Sequence, residues 1–344
     1  MRTSTLGGAL VAGIFCVPLL CRAEPVVAIY GLLDTTVRYA THAGADGRHL
    51  SSLNDGAFTG SRLGFRGTED LDGGRKAFFS LEQGFDPSSG ALTQTTAAAN
   101  YGQSAAPTGR AFGREALVGL SAGNAGTLTL GRQYTLANVY SSRFQPNANP
   151  NQEVLALMVG HQLVRQDNMV KYAVDLGAFS ASVSRTLGEG MSGSSWAVAS
   201  AYKAGSLDLA AYASAMDTFD KSETRHIHAL GAAFELTEGL KATIGTMRRR
   251  DRVSAQTNEV WVGALTYAAG PFVYTLSCGE DRQRRVSEGA RKLGWLHVDY
   301  RLSNRTDVYA VVDANRITGA YPLPVFMTQR GLQRGAQFGL RHRF

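Results

Sequence analysis

Residues 61–69 read SRLGFRGTE. Laid out as a strand, the segment puts Leu63 and Phe65 on one face and Arg62, Gly64 and Arg66 on the other. A face carrying two arginines cannot enter a dry core without a large desolvation cost. The pattern therefore asks for a sheet with lipid on one side and water on the other. An arginine on the lipid side at mid-bilayer costs about 2–4 kcal/mol. That cost turns the apolar set outward and the arginines inward.

The same alternation recurs along the chain. Strands are predicted at 26–39, 61–69, 75–85, 113–121, 126–134, 168–174, 178–186 and 195–203. They continue at 207–216, 224–234, 240–247, 259–267, 271–279, 293–302, 306–315 and 333–344. Connections alternate between short ones (DLDGG, AGNA, DLG, AGS, LTEG, AAG, LSNR) and longer ones near 41–60, 86–112, 187–194, 217–223, 248–258, 280–292 and 316–332. Short turns at one end and long loops at the other are the pattern of an outer-membrane barrel. The expected fold is all-β, a 16-stranded antiparallel transmembrane β-barrel with short periplasmic turns and long extracellular loops. A soluble sandwich would hide Val, Ile and Leu. Here the hidden-face residues are Arg62, Arg66, Glu82, Arg132, Lys171, Asp299 and Asp307, which suits a wet lumen.

Residues 1–23 read as a signal peptide, with Arg2, an apolar run over 6–20 and an exit at Cys21-Arg22-Ala23. Lipid attachment at Cys21 is disfavoured by the bulky Leu20 before it. The mature barrel is then 24–344. Loss of Arg2 and Arg22 leaves 33 Lys and Arg against 28 Asp and Glu, a formal charge of +5. Only Cys278 remains, so no intramolecular disulfide is expected. After residue 23 there is no run of about 18 apolar residues to make a spanning helix.

One connection stands apart. Residues 136–166 carry no strand pattern, and loops that long inside a compact domain are usually functional or disordered. We read this loop as folding into the barrel and narrowing it. It contains one acid, Glu153, against Arg143, His161 and Arg165.

The segments Tyr30-Gly31-x-x-Asp34, SRLGFRGTEDL at 61–71, LTLGRQY at 128–134, NMVKY at 168–172, LSNRTDVYA at 302–310 and GLRHRF at 339–344 resemble the general porins of Gram-negative bacteria, the β-proteobacterial type above all. The resemblance runs through the whole mature chain. It implies a homotrimer with an inward-folded third loop and passive diffusion of small hydrophilic solutes and ions. It also implies a constriction where Arg62, Arg114 and Arg165 face that loop, with Arg66, Arg132, Lys171 and Glu153 as further charged candidates. Cation-preferring relatives place several acids on the loop. A single acid among basic groups implies an anion preference, because a cleft lined by one sign focuses the field. The trimer contact is expected through the outward Val37, Leu63, Phe79, Leu128 and Phe338, with Gly67 allowing close approach and loop 86–112 reaching over a neighbour. Phe344, with Leu340 and Phe338 on its face, resembles the signal read by the outer-membrane barrel assembly machinery.

Other features have plainer readings. MRRRDR at 247–252 resembles a nucleic-acid patch, but on a secreted barrel it is expected on an outer loop, where lipopolysaccharide phosphates are available; no nucleic-acid partner is expected. His226 and His228 share a strand face, but no acid or cysteine completes a metal set. No Ser/His/Asp set occurs at motif spacing, so neither enzyme activity nor a cofactor is expected. The alternatives to a diffusion channel are a substrate-specific anion channel and a non-conducting surface adhesin or structural barrel.

Overall fold

The structure is a computed structural model and describes residues 26–95, 109–188 and 193–344. The signal-peptide reading of 1–23, and residues 96–108 of the loop expected to reach over a neighbour, lie outside these residues. The first half of the wall is β1 (Val26–Ala40), β3 (Arg62–Leu71), β4 (Arg75–Phe85), β6 (Glu115–Ser121), β7 (Thr127–Tyr134), β8 (Arg165–Leu176), β9 (Phe179–Thr186) and β10 (Ser195–Ala204). The second half is β11 (Leu207–Asp217), β12 (Thr224–Thr237), β13 (Leu240–Asp251), β14 (Thr257–Ala269), β15 (Phe272–Arg284), β16 (Gly289–Arg301), β17 (Thr306–Gly319) and β18 (Gly331–Arg343). Two short pieces extend this wall of sixteen: β2 (Leu50–Asp55) pairs with the upper part of β1, and β5 (Leu92–Thr93) with β4.

Every wall strand runs antiparallel to its neighbours, and β1 pairs with β18 from Leu32↔Arg343 to Ala40↔Gly335. Gly31 and Phe344 complete the seam by exchanging backbone hydrogen bonds of 3.0 and 3.1 Å. The sheet is thus a closed barrel. Among the described residues no helix is long and apolar enough to cross a membrane. The short turns follow β3, β6, β8, β10, β12, β14 and β16, all at one end. Gly270 shows why they can be so tight: its φ of +58° is a left-handed conformation that glycine adopts freely.

The outer face is apolar at mid-height. Ile244, Leu276, Val312 and Phe338 are each more than half exposed there. Near the short-turn end aromatic rings gather, with Phe179 against Tyr202 (4.6 Å between centroids) and Phe272 against Tyr300 (4.7 Å). Such a girdle marks a membrane–water interface.

The strands rise further than the sequence pattern implied. Residues 247–252 are not in an outer loop. Apart from Arg252 they form the top of β13, with Arg248 and Arg250 pointing out and Arg249 pointing in. Likewise β15 runs to Arg284, so the connections 252–256 and 285–288 are short. Charged residues on an outward face mimic a loop, because the alternation of apolar and polar breaks down above the lipid.

The lumen is divided. Over β10–β14 many of the inward residues below the top of the barrel are small or apolar: Ala197, Ala199, Ala201, Ala210, Ile227, Met247 and Val260 are all buried. The long loop lies on this bed. It begins as α1 (Leu136–Ser141), capped by Thr135, whose hydroxyl accepts from the Asn138 N–H at 3.1 Å. Next comes Phe144, fully buried between Gly231 and Gly245, which stand opposite each other in register. A Cβ on either glycine would lie 2.2 or 2.3 Å from the ring of Phe144, so the pair forms a socket that only glycine leaves open. The wet lumen expected from the inward charges is thus joined, over β10–β13, by a dry packing surface for the loop.

Gly245→Val should push Phe144 from this socket while leaving the wall closed. Phe144→Ala removes the same anchor from the other side, at about 3–5 kcal/mol. Both variants should show faster protease cleavage within 136–164 and unaltered gel mobility of the folded barrel. Cleavage at the parental rate would disprove the anchor.

Candidate functional site

The loop continues around the wall from its Phe144 anchor. The Asn147 amide lies 3.0 Å from Nδ1 of His297. Asn151 and Gln152 donate to the carbonyl oxygens of Gly56 and Asp55, both at 2.8 Å. The Trp295 indole donates to the Leu155 carbonyl at 3.1 Å, and Asn315 to that of Val154 at 3.0 Å. Farther on, Arg249 donates to Nδ1 of His161, so this ring carries its proton on Nε2, which donates to Asp281. Burial and the neighbouring Asp281 push the phenol of Tyr321, in the outer connection after β17, well above its ordinary range; it donates to the same carboxylate.

A second segment also turns inward. Between β2 and β3 the chain dips into the lumen, and Ala57 and Phe58 are buried there. The Ala57 N–H donates to the hydroxyl of Tyr309, which donates in turn to Asp34 at 2.6 Å. Phe58 packs on His297 (4.3 Å) and on the rings of Trp295 and Tyr309. The sequence reading placed 41–60 in a polar outer loop. The dip is a correction, driven by the need to bury Phe58 and to satisfy Asp34.

The space left open is a hollow of about 580 Å³. Arg62, Arg114, Arg132, Arg165 and Tyr134 line one side; Asn138, Asn149 and Asn151 of the loop line the other. Below it lies a second hollow of about 450 Å³, with His297, Asp299, Asp307, Arg341 and Arg343. Phe58 and Thr59 line both, so the dip stands between the two chambers.

The arginine wall is held as a network. Glu82 sits between Arg114 (2.5 Å) and Arg62 (3.8 Å) and accepts from the Tyr30 hydroxyl at 3.0 Å. Asp167 accepts from Arg132 at 2.7 Å and Arg110 at 2.6 Å. Arg165 has no carboxylate within 4.0 Å among the described residues. It stacks over the Tyr134 ring at 4.2 Å and donates to its hydroxyl, which also accepts from Arg114 at 2.8 Å. Lys171 stands beside them, its ammonium 3.4 Å from the Tyr134 carbonyl oxygen. With Asp55 and Glu115 counted as the more distant acids, six cations (Arg62, Arg110, Arg114, Arg132, Arg165, Lys171) face four carboxylates.

The structure therefore gathers Arg62, Arg114, Arg132 and Arg165, with Lys171 behind Tyr134. Arg66 stands apart, lower on β3, with its guanidinium 5.2 Å from the Tyr30 ring. Glu153 is also elsewhere: it lies 3.9 Å from Arg291 on β16, on the loop's far side. Two residues expected to add to the pore charge are anchors instead, Arg143 on Asp208 (2.8 Å) and His161 on Asp281. Glu82, Asp167 and Tyr134 belong to the site and were not singled out. Glu82 is inward by its alternation, and its place on β4 opposite Gly64, diagonal to Arg62 on β3, was the available signal. Shared parity does not put Arg165 and Lys171 inside together. A bulge opposite Gly131, with Asn168 at a φ of +53°, interrupts the alternation between them.

Glu82→Gln should leave Arg62 and Arg114 facing each other without their shared counter-charge. Breaking a buried pair in this way costs about 3–5 kcal/mol. The folded barrel should convert to its heat-denatured gel form at a lower temperature. An unchanged conversion temperature would mean that Glu82 does not hold the wall together.

Comparison with known proteins agrees with this architecture. The chain is 34% identical over 186 residues to an outer membrane porin of Bordetella pertussis, covering 50% of this chain and 44% of that one. It is 38% identical over 110 residues to outer membrane porin protein 32 of Delftia acidovorans, covering 32% and 26%. The matches thus span less than half the length of these relatives. Among solved structures, the anion-selective porin from Comamonas acidovorans superposes with a TM-score of 0.76 at 23% identity, over 93% of this chain and 100% of that one. The trimer form of OmpT of Vibrio cholerae superposes with a TM-score of 0.70 at 14% identity, over 93% and 99%. A family model described as Gram-negative porin matches residues 9–320. With a closed antiparallel wall of sixteen strands and a match over most of its length, the chain belongs to the Gram-negative porin family.

Proposed function

We propose that this porin is an outer-membrane channel for passive diffusion of small hydrophilic solutes and ions, with a preference for anions. Its role is conduction, with no chemistry performed on the solute. The observation that carries the anion preference is that Arg62, Arg114, Arg132 and Arg165 line the upper hollow, in a wall where six cations stand with four carboxylates and Arg165 lacks a close acidic partner. The loop opposite contributes asparagine amides rather than acids. A solute passing between them meets a net positive wall at close range. Two unit charges about 8 Å apart interact by about 2 kcal/mol at an effective dielectric near 20. One arginine therefore shifts the relative energies of anion and cation by more than thermal energy. The solved porin from Comamonas acidovorans is itself described as anion-selective, which supports the reading.

A second reading is a channel selective for particular anions. The convergence of several guanidiniums on one hollow of about 580 Å³ favours it, because such forks bind carboxylates and phosphates bidentately. Saturation of conductance with one anion separates this reading from simple diffusion.

The apolar outward residues Val37, Leu63, Phe79, Leu128 and Phe338 form the proposed contact of a homotrimer. Phe344 beside them is the proposed point of recognition by the assembly machinery. Native mass measurement in mild detergent should give three chains; a conducting monomer would sink the trimer.

Reversal potential across a tenfold salt gradient tests the selectivity. The parent should prefer anions, and the Arg62→Ala/Arg165→Ala double variant should lose most of that preference. The preference should also fade in concentrated electrolyte, since the Debye length falls to about 3 Å at 1 M. A cation-preferring parent, or a double variant with full anion preference, overturns the reading.

A further inference from the structure

The last residue of β7 and the first of β8 stand where the inward loop leaves the wall and returns to it. Tyr134 and Arg165 are partners in register there. The Arg165 guanidinium stacks on the Tyr134 ring and donates to its hydroxyl. Arg114 donates to the same oxygen at 2.8 Å. A guanidinium has only donors, so the phenol accepts in both bonds. With both acceptor positions taken, the hydroxyl has its own proton left to give. That proton has no acceptor among the described residues, and Tyr134 borders the upper hollow. Two cationic donors on the oxygen also polarise the O–H bond and strengthen it as a donor.

Arg114 is fixed by the same network. Its Nε donates to Glu82 at 2.5 Å and its Nη2 to Tyr134. The third nitrogen, Nη1, has no acceptor among the described residues. Because Nη2 of this guanidinium holds the phenol oxygen, Nη1 and the hydroxyl proton are neighbours on one side of the hollow. Gly60, in the inward dip, keeps room beside them. A Cβ there would lie 3.1 Å from Nη1 and 3.0 Å from Oδ1 of Asn151. The φ of Gly60 is outside the left-handed range, so its missing side chain supplies space rather than conformation. Gly60, Arg114, Tyr134 and Asn151 all border the same hollow.

We propose that the Tyr134 hydroxyl, together with Nη1 of Arg114, discriminates among anions of equal charge and favours those with oxygen acceptors over halides. The inference rests on the reading of this hollow as the path of anions. Charge on the arginines attracts every monovalent anion equally at a given distance. The hydroxyl carries no net charge, so it adds almost nothing to that attraction at long range. It acts at contact, through one directed bond. A carboxylate oxygen accepts such a bond at about 2.5–2.7 Å. Chloride is larger and has no directed lone pair, so it gains less. Tyr134 is thus a specificity-determining residue, while Arg62 and Arg165 supply the field.

The test compares formate with chloride in single-channel recordings, which read only folded, inserted barrels. With potassium formate on one side and potassium chloride on the other, the parent should pass formate over chloride by more than their free mobilities allow. Tyr134→Phe keeps the ring under Arg165 and removes the hydroxyl. It should lower the formate-to-chloride ratio by about three-fold or more, a part of the roughly ten-fold that a hydrogen bond to a charged group contributes. Gly60→Ala sets a methyl group beside Nη1 and removes no charge; it should lower the same ratio. Arg62→Ala should show the reverse pattern, losing more of the anion-over-cation preference in a potassium chloride gradient than of the formate-to-chloride ratio. An unchanged ratio in either Tyr134→Phe or Gly60→Ala overturns the proposal. So does a loss of both quantities in equal proportion in Tyr134→Phe, which would mean that the hydroxyl only holds the arginines in place. A parent without anion preference in potassium chloride alone would sink the selectivity reading instead, so the two failures are distinguishable.

Discussion

Backbone amides in hydrocarbon have no water to bond, so every N–H and C=O of a spanning segment must find its partner within the protein. For strands this condition is met only by closing the sheet. The seam between β1 and β18, completed by Gly31 and Phe344, is therefore the contact on which the rest depends. Each wall strand is held on both edges. Closure also fixes which face of each strand meets lipid and which meets the lumen, and that one assignment determines where charge is tolerated.

Charge excluded from the lipid face collects inside, but not evenly. The alanine-lined faces of β10 and β11 and the glycine pair on β12 and β13 make a bed that binds the loop by packing. Arg62 of β3, Arg132 of β7 and Arg165 of β8, together with Arg114 just before β6, line the hollow the loop leaves open. The loop is thus pressed toward one wall and leaves its opening against the other. Its own polar groups Arg143, Glu153 and His161 are turned toward wall partners and hold it in place. The field in the opening comes from the wall, and the shape of the opening comes from the loop.

The alternation of single residues made the fold legible. Leu63 and Phe65 against Arg62 and Arg66 gave the orientation of β3, and the same pattern repeated to sixteen strands. Strand ends were less legible: Arg248, Arg250, Arg282 and Arg284 are outward residues above the apolar band, and polarity alone makes them look like loop. The apolar bed was hidden because Ala197, Ala199 and Ala201 carry no strong signal on their own. The socket for Phe144 depends on the register that sets Gly231 opposite Gly245, and register is a long-range property. The site was half legible. Its arginines could be assigned by position along their strands, but Glu82, Asp167 and Tyr134 join them only through pairings across strands.

The inward dip at 56–61 bears on how such a pore comes into being. Its Ala57 is held by Tyr309 of β17, and its neighbours are held by Asn151 and Gln152. Three stretches distant in the chain thus meet at one lintel over the passage, the dip braced by the other two. None can swing aside alone, so the aperture behaves as a fixed frame rather than a door. A frame that needs a residue from the penultimate strand also cannot exist until the ring is nearly complete. Sieving should therefore be the last property this barrel acquires as it assembles, and the first it loses when the seam opens.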